Sequence, residues 1–437
     1  MKRVKHRASV AMLLALAIVA GLGVFLFRLW SDGADWALYR ANQSVYSGGM
    51  LRTGTLTDRE GVILADGTAG TYAENANTRR ACLHLIGDYS GNIGTGALQA
   101  FRSEMAGYSF VFGTARSGES LALSPDARLQ ETALAALGGY SGAVLVQNYV
   151  TGEILCIVST PVYDPADPPA SFDSPAYEGV FLNRALSTTY TPGSVFKLVT
   201  LAAAIENIPD LYERSFTCTG SVTVGGNPVV CTGWHGTQTI EQALANSCNC
   251  VFAELSLELG ADTLAAYAKK LGYTDSLTLD GISSAAGRFD RAEAGTSDLA
   301  WSGIGQSTDL VCPFAVLRFS AAIAAGGTVP EATLLAGGSG KSVRLLSADT
   351  AKKLGDMMSY NVQYAYGSWL FPNLALCAKS GTAEVGDGTS HAWFTGYLDD
   401  EKHPYAFAVI AEHAGGGLTV AGAIANTVLQ KAVELEL

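Results

Sequence analysis

Twenty consecutive residues, Ala8 to Phe27, carry no charge, and Ser9 is the one clearly polar side chain among them. As a helix rising about 1.5 Å per residue, such a run spans roughly the 30 Å hydrocarbon core of a bilayer. Lys2, Arg3, Lys5 and Arg7 precede it, and no acid appears before Asp32. Positive charge on that flank places the N-terminus in the cytoplasm and the rest of the chain outside, at the plasma membrane. Ala15-Leu16-Ala17 offers an A-x-A cleavage signal, but the apolar run continues past it, so an uncleaved single-span anchor is expected. The chain then divides into a cytoplasmic tip (1–7), an anchor (8–30) and an exported remainder.

The 437 residues are 48% hydrophobic and only 16% charged, with a net charge of −12. Apolar content this high excludes a disordered chain. The acidic balance excludes a nucleic-acid binder, which would present a basic patch. Taking the five basic residues of the first 31 away from the net −12 leaves about −17 on the exported part, a soluble acidic body held on a membrane. Eight cysteines in a chain this long are not a disulfide scaffold. Most sit between apolar neighbours, as in Leu155-Cys156-Ile157, and read as small buried hydrophobes. Cys218 and Cys231 bracket a polar Gly-rich stretch outside the membrane and are candidates for a disulfide. The set Cys231, His235, Cys248 and Cys250 has no standard zinc-ligand spacing, so no metal is expected.

Hydrophobic periodicity divides the exported part again. Residues 31–115 mix short apolar runs with Gly, Asn and Thr, and read as a small pedestal. Thr55–Thr57 and Val62–Leu64 are strands around a turn at Asp58-Arg59-Glu60-Gly61. From 116 onward the pattern sharpens. A helix is expected over Leu129–Leu137, a strand hairpin over 142–158, and a Pro-rich loop over Pro161–Pro175. Helices follow from Ser194 to Asn207 and at Ile240–Ala245, Val251–Leu259 and Thr263–Leu271. Three strands (Leu374–Ala378, Ala392–Tyr397, Ala406–Ala411) and a closing helix Val420–Leu435 complete an α+β pattern.

The chemistry concentrates in three short fragments. In Ser194-Val195-Phe196-Lys197, a step of three on a helix places Ser194 and Lys197 on one face. Ser194 falls at a helix N-terminus, where free N–H groups favour developing negative charge. A serine needs an adjacent base, and a lysine desolvated against apolar neighbours can be one. Alone, the tetrad reads equally as a capping Ser and a surface Lys. Ser247-Cys248-Asn249 interrupts two helical patterns; its Ser can relay a proton and its Asn can bond an amide. Alone it reads as a helix cap. Lys379-Ser380-Gly381-Thr382 ends an apolar strand, and Gly381 permits close approach to the strand edge. Two other patterns lapse: Gly337–Ser342 lacks the first Gly of a phosphate-binding loop, and Gly303-x-Gly305 fails a dinucleotide fingerprint.

In this order the three fragments resemble the S-x-x-K, S-x-N and K-[TS]-G signature of penicillin-binding proteins and serine β-lactamases. Other segments resemble the same family: the 142–158 hairpin, Ser159–Pro165, Asn183-Arg184-Ala185, His235-Gly236 leading to Ser247-Cys248-Asn249, Gly303–Gln306 and His391-Ala392-Trp393-Phe394. The pedestal's Gly54–Gly61 is similar to the family's R-G-x-x-x-D-R-x-G, with Thr53 in the Arg place and Arg52 one place early. Two further departures are Ser380 for the commoner Thr and Cys312 for the Thr before Pro313.

The resemblance implies a transpeptidase domain (116–437) with a central antiparallel sheet and a helical subdomain, behind a short pedestal (31–115). It implies a peptidoglycan D,D-transpeptidase of the monofunctional class B kind, since residues 31–115 are too few for a glycosyltransferase domain. Ser194 would be the nucleophile and Lys197 its base, with Ser247 and Lys379 as proton relay and Asn249 on a substrate amide. Ser380, Gly381 and Thr382 would bind the substrate, with no metal or cofactor. Expected partners are a stem peptide, β-lactams, the membrane and a multi-span glycan polymerase of elongation, division or sporulation, and no nucleic acid. A D,D-carboxypeptidase, a serine β-lactamase, and a β-lactam sensor or inactive envelope scaffold remain as alternatives. The acceptor amine is not legible.

Overall fold

A computed structural model of the chain describes residues 2–39, 46–47, 50–51, 53–114, 118–338 and 340–437. Arg52 lies outside them. The apolar N-terminus is part of one helix, Lys2–Ala37. Its apolar window has a mean hydropathy of 2.8 and is buried against none of the described residues, with Leu13, Ile18 and Phe27 all exposed. This one helix is long and apolar enough to cross a membrane. Beyond Phe27 the same helix continues to Ala37, where Asp35 pairs with Arg102.

The expected pedestal strands form as Thr55–Thr57 and Ile63–Asp66, in a four-stranded sheet with Thr71–Tyr72 and Leu121–Ala122. Asp58 makes the turn between the first two and is itself buried. Its Oδ1 accepts from the Glu60 and Val62 N–H groups at 2.9 and 2.8 Å, and its Oδ2 from the Ala127 N–H at 3.1 Å. One carboxylate thus satisfies a turn and the first turn of the helix Ala127–Leu137.

The main sheet has five antiparallel strands. In spatial order they are Leu376–Glu384, Ser390–Leu398, Tyr405–Ala411, Gly142–Asn148 and Ile154–Thr160. The expected hairpin therefore docks its first strand on the last strand of the chain, with Val409 opposite Val144. Nearly every residue of the middle strands is buried, because helices cover both faces. Ala127–Leu137 and Gly422–Glu434 pack on one face; Pro313–Ala324 lies across the other. That last helix has no counterpart in the sequence pattern. Ten of its residues, from Pro313 to Ile323, are buried, so it shows no polar face for a 3.6-residue period to mark. The two helices expected at 251–259 and 263–271 both form within Asn249–Lys270, separated at Gly260, whose φ 77° and ψ 161° are not helical. The Leu376–Glu384 strand lies at the sheet edge, which leaves one side of its backbone free for a partner.

Candidate active site

Ser194 sits in a short 3₁₀ turn, Gly193–Val195, that leads into the helix Lys197–Asn207. Gly193 has φ +55°, and its N–H donates to the Gly305 carbonyl at 2.8 Å. A Cβ on Gly193 would lie 2.8 Å from the Thr382 carbonyl, so the nucleophile turn is pressed against the free edge of the Lys379 strand. A Cβ on Gly381, from the third fragment, would crowd Val195 and Trp393 at 3.0 and 3.1 Å, so glycine lets both pack close. The Trp393 indole N–H donates to the Thr191 carbonyl at 3.0 Å and fixes the turn from the sheet side.

Ser247 has φ 50° between the helices Ile240–Ala245 and Asn249–Lys270. A serine in the left-handed region stores about 1–3 kcal/mol of strain and persists where its surroundings hold it. Here the conformation aims both its carbonyl and its hydroxyl at Lys197. Lys197 Nζ lies 2.6 Å from Ser247 O, 3.2 Å from Ser247 Oγ and 2.7 Å from Asn249 Oδ1. Asn249 Nδ2 donates to the Val230 carbonyl at 2.9 Å, which fixes the amide with its oxygen toward the lysine. From the other side Lys379 Nζ reaches Ser247 Oγ at 3.1 Å and its own strand at Ser380 O, 2.8 Å. Two amines therefore flank one hydroxyl.

Both lysines are fully buried. Burial pushes Lys197 down to about 7, because a dry interior disfavours the ammonium. Lys379 is held well below the usual lysine range by burial first and the Lys197 charge second. A neutral Lys197 has two N–H bonds and a lone pair. The two short contacts to Ser247 O and Asn249 Oδ1 use the N–H bonds, and the Ser247 hydroxyl can then donate to the lone pair. The three Lys197 bonds all go to the second fragment, while Ser194 stands three residues before it in the 3₁₀ turn that leads into the same helix.

The third fragment presents its residues unequally. Thr382 is exposed, and its Oγ1 accepts from the Gly417 N–H at 3.2 Å. Its carbonyl faces Gly193, and in a strand a residue's N–H points to the same side. The Thr382 N–H is thereby aimed at the nucleophile turn. The Ser380 N–H, on the same edge, donates to the Tyr366 hydroxyl at 2.9 Å, and Ser380 Oγ lies 3.1 Å from that oxygen. Tyr366 closes the edge just before Thr382. Nothing in its sequence neighbourhood marks it, because its partner is 14 residues on and in another element.

His391 and His413 stack edge to face at 5.0 Å beside Tyr190, and Tyr190 and Arg184 both bond Glu412. These groups brace the site rather than face Lys197. The cysteines differ from expectation. All eight are free thiols, so Cys218 and Cys231 are not bonded to each other. Cys218, rather than Cys250, converges with Cys231, His235 and Cys248, because the strand Gly236–Gln238 pairs with Phe216–Cys218 and sets Gly236 opposite Cys218.

Comparison with known proteins gives one consistent picture. Residues 142–430 match the family model described as penicillin binding protein transpeptidase domain. Peptidoglycan D,D-transpeptidase PbpA of Mycobacterium tuberculosis is 27% identical over 332 residues, 68% of this chain and 67% of that protein. Among solved structures, the D,D-transpeptidase domain of a peptidoglycan glycosyltransferase from Eggerthella lenta superposes with a TM-score of 0.73 at 26% identity. It covers 88% of this chain and 98% of that one. A ceftriaxone acyl-enzyme of penicillin-binding protein A from M. tuberculosis gives 0.76 at 24% identity, with 87% and 98% covered. It bears on the fold alone.

Proposed function

Because this chain belongs to the penicillin-binding-protein transpeptidase family, we infer that it is a serine D,D-transpeptidase of peptidoglycan synthesis that carries its acyl group on Ser194. The carrying observation is the Ser247 hydroxyl held between two buried amines, 3.2 Å from Lys197 and 3.1 Å from Lys379. That is a proton path between the nucleophile's helix turn and the strand edge where a leaving group would sit.

Ser194 Oγ attacks the penultimate D-alanyl carbonyl of a stem peptide. The C–O bond forms, and the Oγ proton passes to Lys197. The N–H groups of Ser194 and Thr382 receive the oxyanion, each such donor being worth about 3 kcal/mol. The C–N bond then breaks, and Ser247, with Lys379 behind it, delivers a proton to the departing D-alanine. Asn249, the Lys379 strand with Ser380 and Gly381, and Thr382 hold the peptide and its terminal carboxylate. In the second half, an acceptor amine attacks the acyl carbon, gives up its proton along the same path and restores the Ser194 hydroxyl. A β-lactam opens at Ser194 without releasing a fragment, so its acyl-enzyme persists. The basic flank of the apolar helix supports a cytoplasmic N-terminus and an exported catalytic body. A multi-span glycan polymerase is the natural neighbour of such an anchor.

The test is incubation with a fluorescent penicillin followed by intact-mass analysis. One adduct on the wild type and none on Ser194→Ala is expected. An adduct that survives Ser194→Ala removes the nucleophile assignment. Stem-peptide assays should yield cross-linked dimer; release of D-alanine without dimer would make the enzyme a carboxypeptidase.

A further inference from the structure

One cluster of side chains has no part in the chemistry just described. Cys218 ends the strand Phe216–Cys218, and Cys231 follows the hairpin Ser221–Val224/Asn227–Val230. His235 precedes the strand Gly236–Gln238, and Cys248 caps the helix Asn249–Lys270. Separate elements thus deliver three thiols and one imidazole to a single point, where their ligand atoms all lie within 4.8 Å of one another.

Two of the separations match the edges of a coordination site. Cys231 Sγ is 3.8 Å from Cys248 Sγ and 3.6 Å from His235 Nδ1. Tetrahedral zinc, with Zn–S of about 2.3 Å and Zn–N of about 2.0–2.1 Å, has S···S edges of about 3.8 Å and S···N edges of about 3.6 Å. The surroundings also favour thiolate: the Asn249 N–H donates to Cys231 Sγ at 3.2 Å, the kind of outer bond that steadies a metal-bound sulfur. Cys218 and Cys248 are buried, whereas Cys231 and His235 are part-exposed and give the ion a way in. Cys250, two residues on, is not one of the four convergent ligands, although its thiol lies within bonding reach of Cys218 and Cys231.

We propose that Cys218, Cys231, His235 and Cys248 form a closed Cys₃His zinc site. Four protein ligands leave no open position, so the ion is structural. It ties the hairpin and the Cys218 strand to the Ser247-Cys248-Asn249 segment, which carries two groups bonded to Lys197.

The test uses the full chain in detergent, purified on a tag that binds no metal and without chelator. Elemental analysis should find about one zinc per chain, and Cys231→Ser and Cys248→Ser should each fall below about a tenth of that. Cys250→Ser should keep its zinc. Since losing a ligand can unfold the domain, wild type is also stripped and reloaded with cobalt(II). A tetrahedral thiolate site then shows intense visible d–d absorption, which zinc bleaches. Fluorescent-penicillin labelling of each sample reports separately on the transpeptidase reading. Wild type that labels fully yet holds no zinc overturns the site. So does loss of zinc from Cys250→Ser, or a zinc-free wild type whose mass is two hydrogens short through a Cys231–Cys248 disulfide.

Discussion

At Ser247 Oγ two fully buried amines compete for one hydroxyl. Placing both as ammonium ions there would set like charges against each other in a buried site, so the Lys197 charge adds to burial in holding Lys379 toward its neutral form. Lys197→Met removes the base while filling much of the same volume. Acylation by penicillin should fall by about 10³-fold, within the range for a positioned general base. A rate within tenfold of wild type in stopped-flow fluorescence would remove Lys197 from that role. Asp309 is a second buried charge problem, away from the chemistry. It is 1% exposed, and neither carboxylate oxygen has a hydrogen-bond partner among the described residues. Burial raises its pKa well above the usual carboxylate range, and Asp290 adds to the shift. A folded pKa above the unfolded one means that its stabilising contribution is complete below the unfolded value and is lost as pH rises. Asp309→Asn, which mimics the protonated form, should therefore gain about 1–3 kcal/mol at pH 8, less at pH 5. Urea melts at both pH values check this; a variant weaker at both contradicts it.

Between elements, one tight joint bears directly on the nucleophile: the crossing of Gly193 and Gly305. Gly305 has φ +86°, and a Cβ there would collide with the Gly193 carbonyl and Phe196 Cβ. Gly305→Ala should displace the nucleophile turn, lower stability by about 1–3 kcal/mol and slow acylation disproportionately. Thermal melts and labelling rates, measured together, separate the two effects. The strands of the main sheet were readable from the sequence because apolar runs mark them; the three chemical fragments, each ordinary alone, were readable through their order and the family they resemble. What escaped had no such signature. Pro313–Ala324 is apolar but for Arg318 and Ser320 and is buried along nearly its whole length. Tyr366 and Cys218 matter only through partners that folding brings from elsewhere. Spacing along the chain argued against a metal; the pairing of two short strands argues for one.

For the whole molecule, charge and hydrophobicity are segregated. Residues 32–437 carry about −17, and the apolar run lies entirely in the N-terminal helix. A chain starting at Asp32 should be soluble at low salt and still take one penicillin adduct, while the full chain sediments with membranes. Precipitation of the shortened chain would mean that the helix also covers part of the body. That helix does not stop at the bilayer surface. It runs ten residues past Phe27, about 15 Å, and is pinned by the Asp35–Arg102 pair and by Tyr108 packed against Gly33. A rod of fixed length behaves differently from a slack tether. With the exported topology proposed above, it would hold the active site within a thin layer parallel to the membrane and turn the search for an acceptor into a two-dimensional one. Strands far out in the wall would lie beyond its altitude, and newly made glycan emerging beside the anchor would lie within it.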